Sequence, residues 1–339
     1  MFRLYIPLFS LLFYVPNVFA QTLGGNAVFN FINQPASPQA SALGGVNISA
    51  ITNDVSLSLH NPALLRQQMH RTVGASFNSF LGEIRNYSLA SAYHLQSYKT
   101  TVGLGINYFD YGNLAQTDAS GNMLGTFHPR DYVVQVMASQ PYKKNWFLGV
   151  TAKFISSAYG PYSSNGIAFD AGINYYDSAN GLQAGLLVKN MGTQLKTYDG
   201  LNRKTELPFD LQLGISKKLL QAHIQFSLTA HHLQAFNTYY NDTSFLQEEG
   251  VYNRTKNFTV EKIVSHLVFS TQVYVADKIE ITAGYNFMRR QDLNVYNAAN
   301  GLNGFTAGVG LLLQQLQIRY ATGFYQQNRF NQLGVNVGL

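Results

Sequence analysis

From residue 71 to the C-terminus, apolar and polar side chains alternate along the chain with the two-residue period of a β-strand. In the segment 167–175, Phe169 and Ile173 fall on one face, and Asp170 and Asn174 fall on the other. Most such segments are close to the length of about 9–11 residues that crosses a bilayer when a strand is tilted. We predict fourteen strands, at 71–80, 83–95, 99–111, 130–140, 145–157, 164–176, 181–190, 207–217, 222–235, 264–275, 278–287, 304–313, 315–324 and 331–339.

The connections between these segments alternate in length. Short turns follow every second strand, and the longest polar loops fall between them, at 112–129, 190–206, 236–263 and 288–303. A soluble β-sandwich also alternates along each strand, but it has no reason to gather its short turns at one end. The sequence therefore predicts an all-β fold, a 14-stranded antiparallel transmembrane β-barrel in which the last strand pairs with the first.

The first twenty residues have the features of a secretory signal peptide. One positive charge, Arg3, precedes the apolar stretch 4–15, and the triplet Val-Phe-Ala at 18–20 is a suitable cleavage site. The apolar stretch is shorter than a transmembrane helix and contains Pro7, which argues against a membrane anchor. We therefore predict export of the mature chain to the outer membrane of a Gram-negative bacterium.

The composition supports this class of protein. Charged residues are 12% of the chain, about half the share that is usual in soluble domains, and aromatic residues are 14%. The net charge of +6 is not gathered into basic clusters, so nucleic-acid binding is not supported. The chain has no cysteine, which excludes disulfides, thiolate metal sites and a lipoprotein anchor.

Residues 21–70, between the signal peptide and the barrel at 71–339, differ from both. They are rich in Ala, Ser, Asn, Gly and Pro, which are too small to build a separate core. Because fourteen strands enclose a lumen that side chains alone do not fill, we predict that this segment is a plug in the lumen; the alternative is a periplasmic linker. Charged residues that face the lumen then need partners, and these are Asp170, Asp210, Glu280 and Arg319.

Two stretches of this segment carry a family resemblance. "NFINQPASPQASALGG" and "NDVSLSLHNPALL", followed by the fourteen-strand pattern, resemble the PorV/PorQ family of outer-membrane proteins, and within it the PorQ branch of the type IX secretion system. The family is itself similar to the FadL-type transporters of long-chain fatty acids. The positions of the plug motif that carry the resemblance are Phe31, Pro35, Leu43, Gly44, Gly45, Asn61, Pro62 and Ala63.

The resemblance implies a monomeric barrel subunit of type IX protein secretion in a Bacteroidota-type bacterium. Such a subunit would hold a PorZ-like partner of the cell-surface attachment complex, beside PorU- and PorV-like proteins. The loop 236–263 is the candidate contact surface, because it mixes aromatic and charged side chains as interfaces do. Its candidate partner aromatics are Tyr239, Tyr240, Phe245 and Tyr252. The alternative function is a FadL-like transporter of hydrophobic small molecules.

Catalytic motifs are absent from the sequence. It contains no G-x-S-x-G motif and no P-loop, and its eight histidines are scattered. His231 and His232 are adjacent, so on a strand we expect them to face opposite sides and not to share a metal ion. We therefore predict that the protein is not an enzyme and has no catalytic, cofactor-binding or metal-binding residues.

Overall fold

A computed structural model of the protein describes residues 27–80, 82–201, 203–235, 260–293, 301–325 and 328–339. The predicted signal peptide, residues 1–20, lies outside the described residues, and so do the loop aromatics Tyr239, Tyr240, Phe245 and Tyr252. No helix in the described ranges is long and apolar enough to cross a membrane.

The described residues form sixteen strands and a few short helices. The strands are β1 (Thr72–Ser79), β2 (Arg85–Leu95), β3 (Thr100–Asp110), β4 (Leu114–Thr117), β5 (Met123–Phe127), β6 (Arg130–Lys143), β7 (Trp146–Tyr159), β8 (Tyr162–Asp177), β9 (Leu182–Lys196), β10 (Asp210–Leu219), β11 (Ile224–Ala230), β12 (Leu267–Val275), β13 (Ile279–Asn286), β14 (Phe305–Leu312), β15 (Leu316–Tyr325) and β16 (Asn328–Gly338). The α-helices are α1 (Pro38–Ala42), α2 (Val260–Ser265) and α3 (Phe287–Asp292).

Fourteen of these strands close into one antiparallel barrel, and β4 and β5 form a separate hairpin. The ring closes where β1 pairs with β16, in a register that runs from Thr72 opposite Gly338 to Ser79 opposite Asn331. Beyond β16, the Leu339 N–H donates to the Arg71 carbonyl at 2.8 Å. The predicted fourteen-stranded barrel is confirmed, and closure leaves no free strand edge at the C-terminus.

The two faces of the barrel wall differ as the alternation predicts. On β3, Leu104 points outward and is 59% exposed, whereas Asn107 points inward and is 4% exposed. On β7, Val150 and Thr151 show the same contrast. A belt of exposed apolar side chains around a closed ring of satisfied backbone groups is stable in lipid, so the barrel is a transmembrane one.

The wall of the barrel is higher on one side. Strands β6–β9 have 14–16 residues each, whereas β10–β14 have 7–10. At the short-turn end, β9 and β10 start their pairing at the same height, with Leu182 opposite Lys217. At the other end the pairing stops where Asp210, the first residue of β10, lies opposite Lys189, and β9 continues beyond this point. The extra length therefore rises at the long-loop end, which we assign to the extracellular side. We call β6–β9 the high wall and β10–β14 the low wall.

Strand β9 is longer than predicted, because it continues to Lys196 through a β-bulge where the sequence predicted a loop from 190. Asn190 has a φ of 60°, and the register against β8 shifts beside it. The bulge turns two successive side chains, Lys189 and Asn190, into the lumen, where both are buried. The predicted loop 112–129 likewise contains the hairpin β4–β5.

Residues 27–70, called the N-terminal segment below, lie against the lumen face of the wall. Their side chains and carbonyls bond to inward-facing residues of strands on several sides of the ring. Ser41 donates to Gln332 of β16 at 2.5 Å, and Ser49 and Ser216 of β10 share a hydrogen bond of 2.9 Å. Asn174 of β8 donates to the Ile48 carbonyl at 3.0 Å. The segment therefore crosses the lumen rather than following one strand.

Two inward-facing glycines of the barrel wall allow the backbone of this segment to approach the wall closely. A Cβ added at Gly149 would lie 2.2 Å from the Ala63 nitrogen, and one at Gly284 would lie 2.4 Å from the Gly44 nitrogen. Backbone atoms do not yield as flexible side chains do. At these two points the wall therefore has no side chain between its backbone and the plug-motif residues Ala63 and Gly44.

Gly284→Val is therefore expected to displace the N-terminal segment. Overpacking of this kind costs typically about 1–3 kcal/mol, so proteinase K should cleave within residues 27–70 several-fold faster. Gly338→Val is the matched control, since an added Cβ there has no neighbour closer than 3.9 Å. Equal protection of both variants would show that the segment does not depend on this contact.

The charges that face the lumen have the partners that the sequence analysis required. Lys153 lies 2.6 Å from Asp170. Arg319 lies 3.2 Å from Asp54 and 3.4 Å from Glu280. Asp210 accepts hydrogen bonds from Gln212 and from the His232 N–H, both at 2.6 Å. The prediction that these buried charges are compensated is confirmed.

Candidate binding sites at the outer mouth of the barrel

An apolar pocket of about 330 Å³ lies at the long-loop end, between the N-terminal segment and the barrel wall. Phe31 forms its inner side, Phe109 of β3 and Phe330 of β16 form the wall, and Phe80 and Ile84 form the rim. The ring centroids of Phe31 and Phe109 are 5.6 Å apart, and those of Phe80 and Phe330 are 6.0 Å apart. These are ordinary distances for aromatic packing, and they leave an apolar hollow that opens outward. We call it the aromatic pocket.

Strand alternation positions the wall of the aromatic pocket. Phe109 shares the inward face of β3 with Asn107, and Phe330 shares that of β16 with Gln332, so each lies at the outer end of an otherwise polar face. Phe80 and Ile84 bracket the β1–β2 turn, which the Phe80 N–H closes by donating to the Ile84 carbonyl at 2.9 Å. Apolar residues thus interrupt the polar lumen face at the mouth.

A neighbouring cavity of about 640 Å³ is lined by tyrosines that surround Asp131. The Tyr111 and Tyr159 hydroxyls donate to one carboxylate oxygen at 2.7 and 2.9 Å, and Ser157 donates to the other. Burial, and next the nearby Asp131 carboxylate, raises the pKa of Tyr111. The hydroxyl therefore stays a hydrogen-bond donor at neutral pH, and the carboxylate is already satisfied by the protein.

A third cavity, of about 320 Å³, lies above the low wall, and most of the residues that line it are polar or charged. Lys189 and Arg289 bring positive charge to it, and Asp210 and Asp292 bring negative charge. It shares Gln34 and Tyr325 with the aromatic pocket, so the two are neighbours. We call it the rim cavity; His60, His231 and His232 also line it.

The expectation that His231 and His232 face opposite sides is wrong. Strand β11 ends at Ala230, so neither histidine is on a strand, and His232 has a φ of 54°. This left-handed turn brings both rings to the same side, with centroids 4.8 Å apart. Their ring nitrogens and a carboxylate oxygen of Asp210 all lie within 4.8 Å of one another. Burial lowers the pKa of His231 well below 6.5, so this imidazole is neutral.

The plug-motif residues are distributed along the N-terminal segment rather than gathered at one site. Asn61 accepts from the Ala63 N–H at 3.0 Å and donates to the Ile48 carbonyl at 2.9 Å, which fixes the turn that Pro62 opens. Leu43 and Ala63 are fully buried. Pro35 is buried, and Gly44 and Gly45 adopt φ values of 92° and 89° at the end of α1. Of the eight, Phe31 lines the aromatic pocket and Gly45 lines the rim cavity.

The sequence alone predicts few of the residues that line the aromatic pocket and the rim cavity. Phe109 and Phe330 could have been predicted, because each is a phenylalanine on the otherwise polar face of its strand. Phe80 and Ile84 could not, since their segment reads as an ordinary tight turn. The rim cavity depends on the bulge at Lys189 and on the turn at His232, and neither follows from a two-residue period.

The closed ring, its apolar outer surface and its polar lumen define a β-barrel of the type found in the outer membranes of Gram-negative bacteria. No protein-family model matches the chain, and no curated protein is similar to it in sequence. Among solved structures, it is similar to "TodX monoaromatic hydrocarbon channel deltaS2 mutant", with a TM-score of 0.51 and 12% identity over 90% of this chain and 97% of the other.

A second similar structure is a FadL homologue of Pseudomonas aeruginosa, with a TM-score of 0.49 and 10% identity over 89% of this chain and 98% of that one. At these identities the likeness concerns the fold alone. The barrel fold is shared with the TodX channel.

Proposed function

We propose that the protein binds small hydrophobic molecules in the aromatic pocket and passes them into the barrel. The observation that carries this proposal is the pocket itself. Its lining is almost wholly apolar, it opens at the extracellular end, and Phe31 places the N-terminal segment against whatever it holds. A concave apolar site with a few polar groups at its edge is the usual form of a small-molecule site.

The physical basis of binding is the transfer of apolar surface out of water. Each Å² of hydrocarbon surface that is buried contributes roughly 25 cal/mol. Offset and edge-to-face contacts with four phenylalanine rings add to this for an aromatic guest. The barrel that shares this fold is named as a monoaromatic hydrocarbon channel, which supports a monoaromatic hydrocarbon as the first ligand to test.

The double variant Phe80→Ser, Ile84→Ser is expected to weaken toluene binding by roughly tenfold to a hundredfold. Both side chains form the rim and are partly buried, so the barrel tolerates the change, while a bound ligand loses apolar contacts worth roughly 1.5–3 kcal/mol. Binding is measured by isothermal titration calorimetry on the purified full-length barrel in detergent, and passage by uptake into vesicles that contain it.

The matched control is Leu114→Ser, which removes an apolar side chain that is 44% exposed on the hairpin β4–β5, outside the pocket. It should bind and pass toluene as the unmodified protein does. If both variants keep full affinity, or if the unmodified protein binds no hydrophobic ligand, the proposal is wrong. We further propose that the barrel is not an enzyme, since its role under this proposal is passage.

A second proposal follows from the PorV/PorQ resemblance: the barrel holds another protein of a Bacteroidota-type secretion system at the outer membrane. The specific observation in its favour is the hairpin β4–β5, which stands apart from the barrel sheet and exposes Leu114, Met123 and Leu124. Apolar side chains that are 44–71% exposed on a projecting hairpin suit a protein contact.

The two proposals are separated by the same pair of variants. Under the secretion proposal, serine substitutions in the hairpin release a partner that otherwise copurifies from solubilised outer membranes, and export of secreted proteins falls. Under the transport proposal, these variants keep toluene uptake, and the rim variant of the aromatic pocket loses it.

A further inference from the structure

Asp210, His231 and His232 form a compact group of metal-ligating side chains, the one such group of three or more in the part of the chain that the structure describes. They come from two elements of the low wall, because Asp210 opens β10 and the histidines follow β11. Their candidate ligand atoms all lie within 4.8 Å of one another. Carboxylate oxygen and imidazole nitrogen are the ligand types that zinc prefers in a chain without cysteine.

Neither ring nitrogen of His231 has a hydrogen-bond partner among the residues that the structure describes. The residue is 4% exposed, both Nδ1 and Nε2 are buried without a hydrogen bond, and the side chain lines the rim cavity. An imidazole that is buried in this way gives up the hydrogen bonds that its ring nitrogens would make with water. A metal ion that accepts the lone pair of one ring nitrogen would satisfy that atom.

The other ligand groups are already oriented. The carboxylate of Asp210 accepts from the His232 N–H and from Gln212, both at 2.6 Å, and each oxygen keeps a free lone pair for an ion. The His231 backbone is fixed by two hydrogen bonds with His266, at 3.0 and 2.8 Å. Outer-shell bonds of this kind hold metal ligands in place.

We propose that Asp210, His231 and His232 bind a divalent transition-metal ion of the zinc class in the rim cavity. Three protein ligands leave a fourth position open to the cavity, as in zinc sites that exchange a water or a ligand. This site is distinct from the aromatic pocket, so it stands or falls independently of hydrocarbon binding. Ligand atoms around tetrahedral zinc lie about 3.3 Å apart, so the candidate ligand atoms, which are up to 4.8 Å apart, must close in by up to about 1.5 Å when the ion enters.

The other charges around the cavity set the expected strength of the site. Lys189 faces Asp210 across the strand pair, and Arg289 lines the same cavity, so both repel a cation. Asp292 also lines the cavity, and its negative charge offsets one of them. Because the local charge before binding is close to balanced, we expect an affinity in the micromolar range rather than that of a structural zinc site.

The test is direct binding of zinc to the purified full-length barrel. Protein stripped with EDTA is dialysed against ZnCl₂, and bound zinc is measured by plasma mass spectrometry; Co²⁺ in place of zinc reports the ligand geometry by its visible spectrum. One ion per chain is expected. His232→Ala and Asp210→Asn should each weaken binding at least tenfold, and His231→Gln should do so while keeping the volume of the side chain.

The matched control is His128→Ala, because His128 is exposed and pairs with Asp110 at 2.8 Å in another part of the mouth. It should bind zinc as the unmodified protein does. Heat-modifiable migration on gels shows that each variant is folded. No zinc on the folded, unmodified protein, or equal zinc on the variants of all three ligands, would overturn the proposal.

Discussion

Arg319→Met is expected to lower the free energy of unfolding by roughly 3–5 kcal/mol, which is the usual cost of removing one partner of a buried ion pair. Arg319 is 4% exposed, and its guanidinium bonds to three side chains. It lies 3.2 Å from Asp54, 3.4 Å from Glu280 and 2.7 Å from the Gln317 side chain. Removal of the cation leaves two carboxylates buried without a counter-charge.

The position of this network makes it the main electrostatic link between the N-terminal segment and the low wall. Gly310 of β14 stands between Arg319 of β15 and Glu280 of β13 in the strand register, so the arginine reaches across β14 where no side chain obstructs it. Asp54 in turn accepts from Asn336 of β16 at 2.7 Å and from the Ser56 N–H at 2.8 Å. Loss of Arg319 is therefore expected to loosen residues 27–70 as well as the wall.

The measurement is urea unfolding of the barrel in detergent micelles, with proteinase K digestion to follow the N-terminal segment. Arg329→Met is the control, because Arg329 is exposed at the outer end of β16. The triple variant Asp54→Asn, Glu280→Gln, Arg319→Met removes all three charges and should be more stable than Arg319→Met alone. If Arg319→Met costs no more than Arg329→Met, the network does not hold the segment.

The strand positions of the barrel could be predicted from the sequence because lipid and lumen impose opposite demands on successive residues. On β3, Leu104 faces outward and Asn107 faces the lumen, and on β7 the same holds for Val150 and Thr151. A shift of one residue would exchange the two faces, so the alternation fixes the strand register. Closure followed from the even strand count and from the alternation of short and long connections.

The features that form the candidate sites break this period, and that is why the sequence did not reveal them. At Lys189 and Asn190 a bulge points two successive side chains inward. His232 has a left-handed backbone conformation, which brings its ring to the same side as the His231 ring. On a regular strand the two rings would point to opposite sides. Each of the two features depends on hydrogen bonds to distant residues, such as the Asn190 N–H to Asp170 at 2.8 Å and the His232 N–H to Asp210 at 2.6 Å.

The course of the N-terminal segment was predictable in outline and not in detail. Its small residues suited a segment confined by a wall, and Ser37 and Asn61 cap the short helical turns at Pro38 and Pro62 as their positions suggest. Which wall residues it touches is set by long-range contacts, such as Gly284 against Gly44. No local pattern encodes those pairings.

A disulfide between Ser49→Cys and Ser216→Cys is expected to block passage of toluene through the barrel by at least tenfold, and reduction is expected to restore it. The two hydroxyl oxygens are 2.9 Å apart, so sulfurs in their place approach the bond length of about 2.05 Å after a small shift. The natural chain has no cysteine, so no competing pair can form. The bond would tie the N-terminal segment to β10.

Passage should depend on movement of this segment because it crosses the lumen and bonds to strands on several sides of the ring. Leu43, Leu57 and Ala63 of this segment are fully buried, so the segment is closely packed at these positions. Phe31, at the floor of the pocket, belongs to the same segment, so a ligand that enters the pocket contacts the part that must yield. A covalent tie removes that freedom and leaves the outer mouth unchanged.

Toluene uptake is measured in vesicles that contain the oxidised double variant, with and without dithiothreitol, and binding is measured on the same samples. Each single cysteine variant is a control and should pass toluene in both conditions. Binding without passage in the oxidised form, restored on reduction, is the expected result, because the tie lies away from the pocket. Unchanged passage in the oxidised form would mean that the ligand crosses the wall without moving the segment, and the route through the lumen would be wrong.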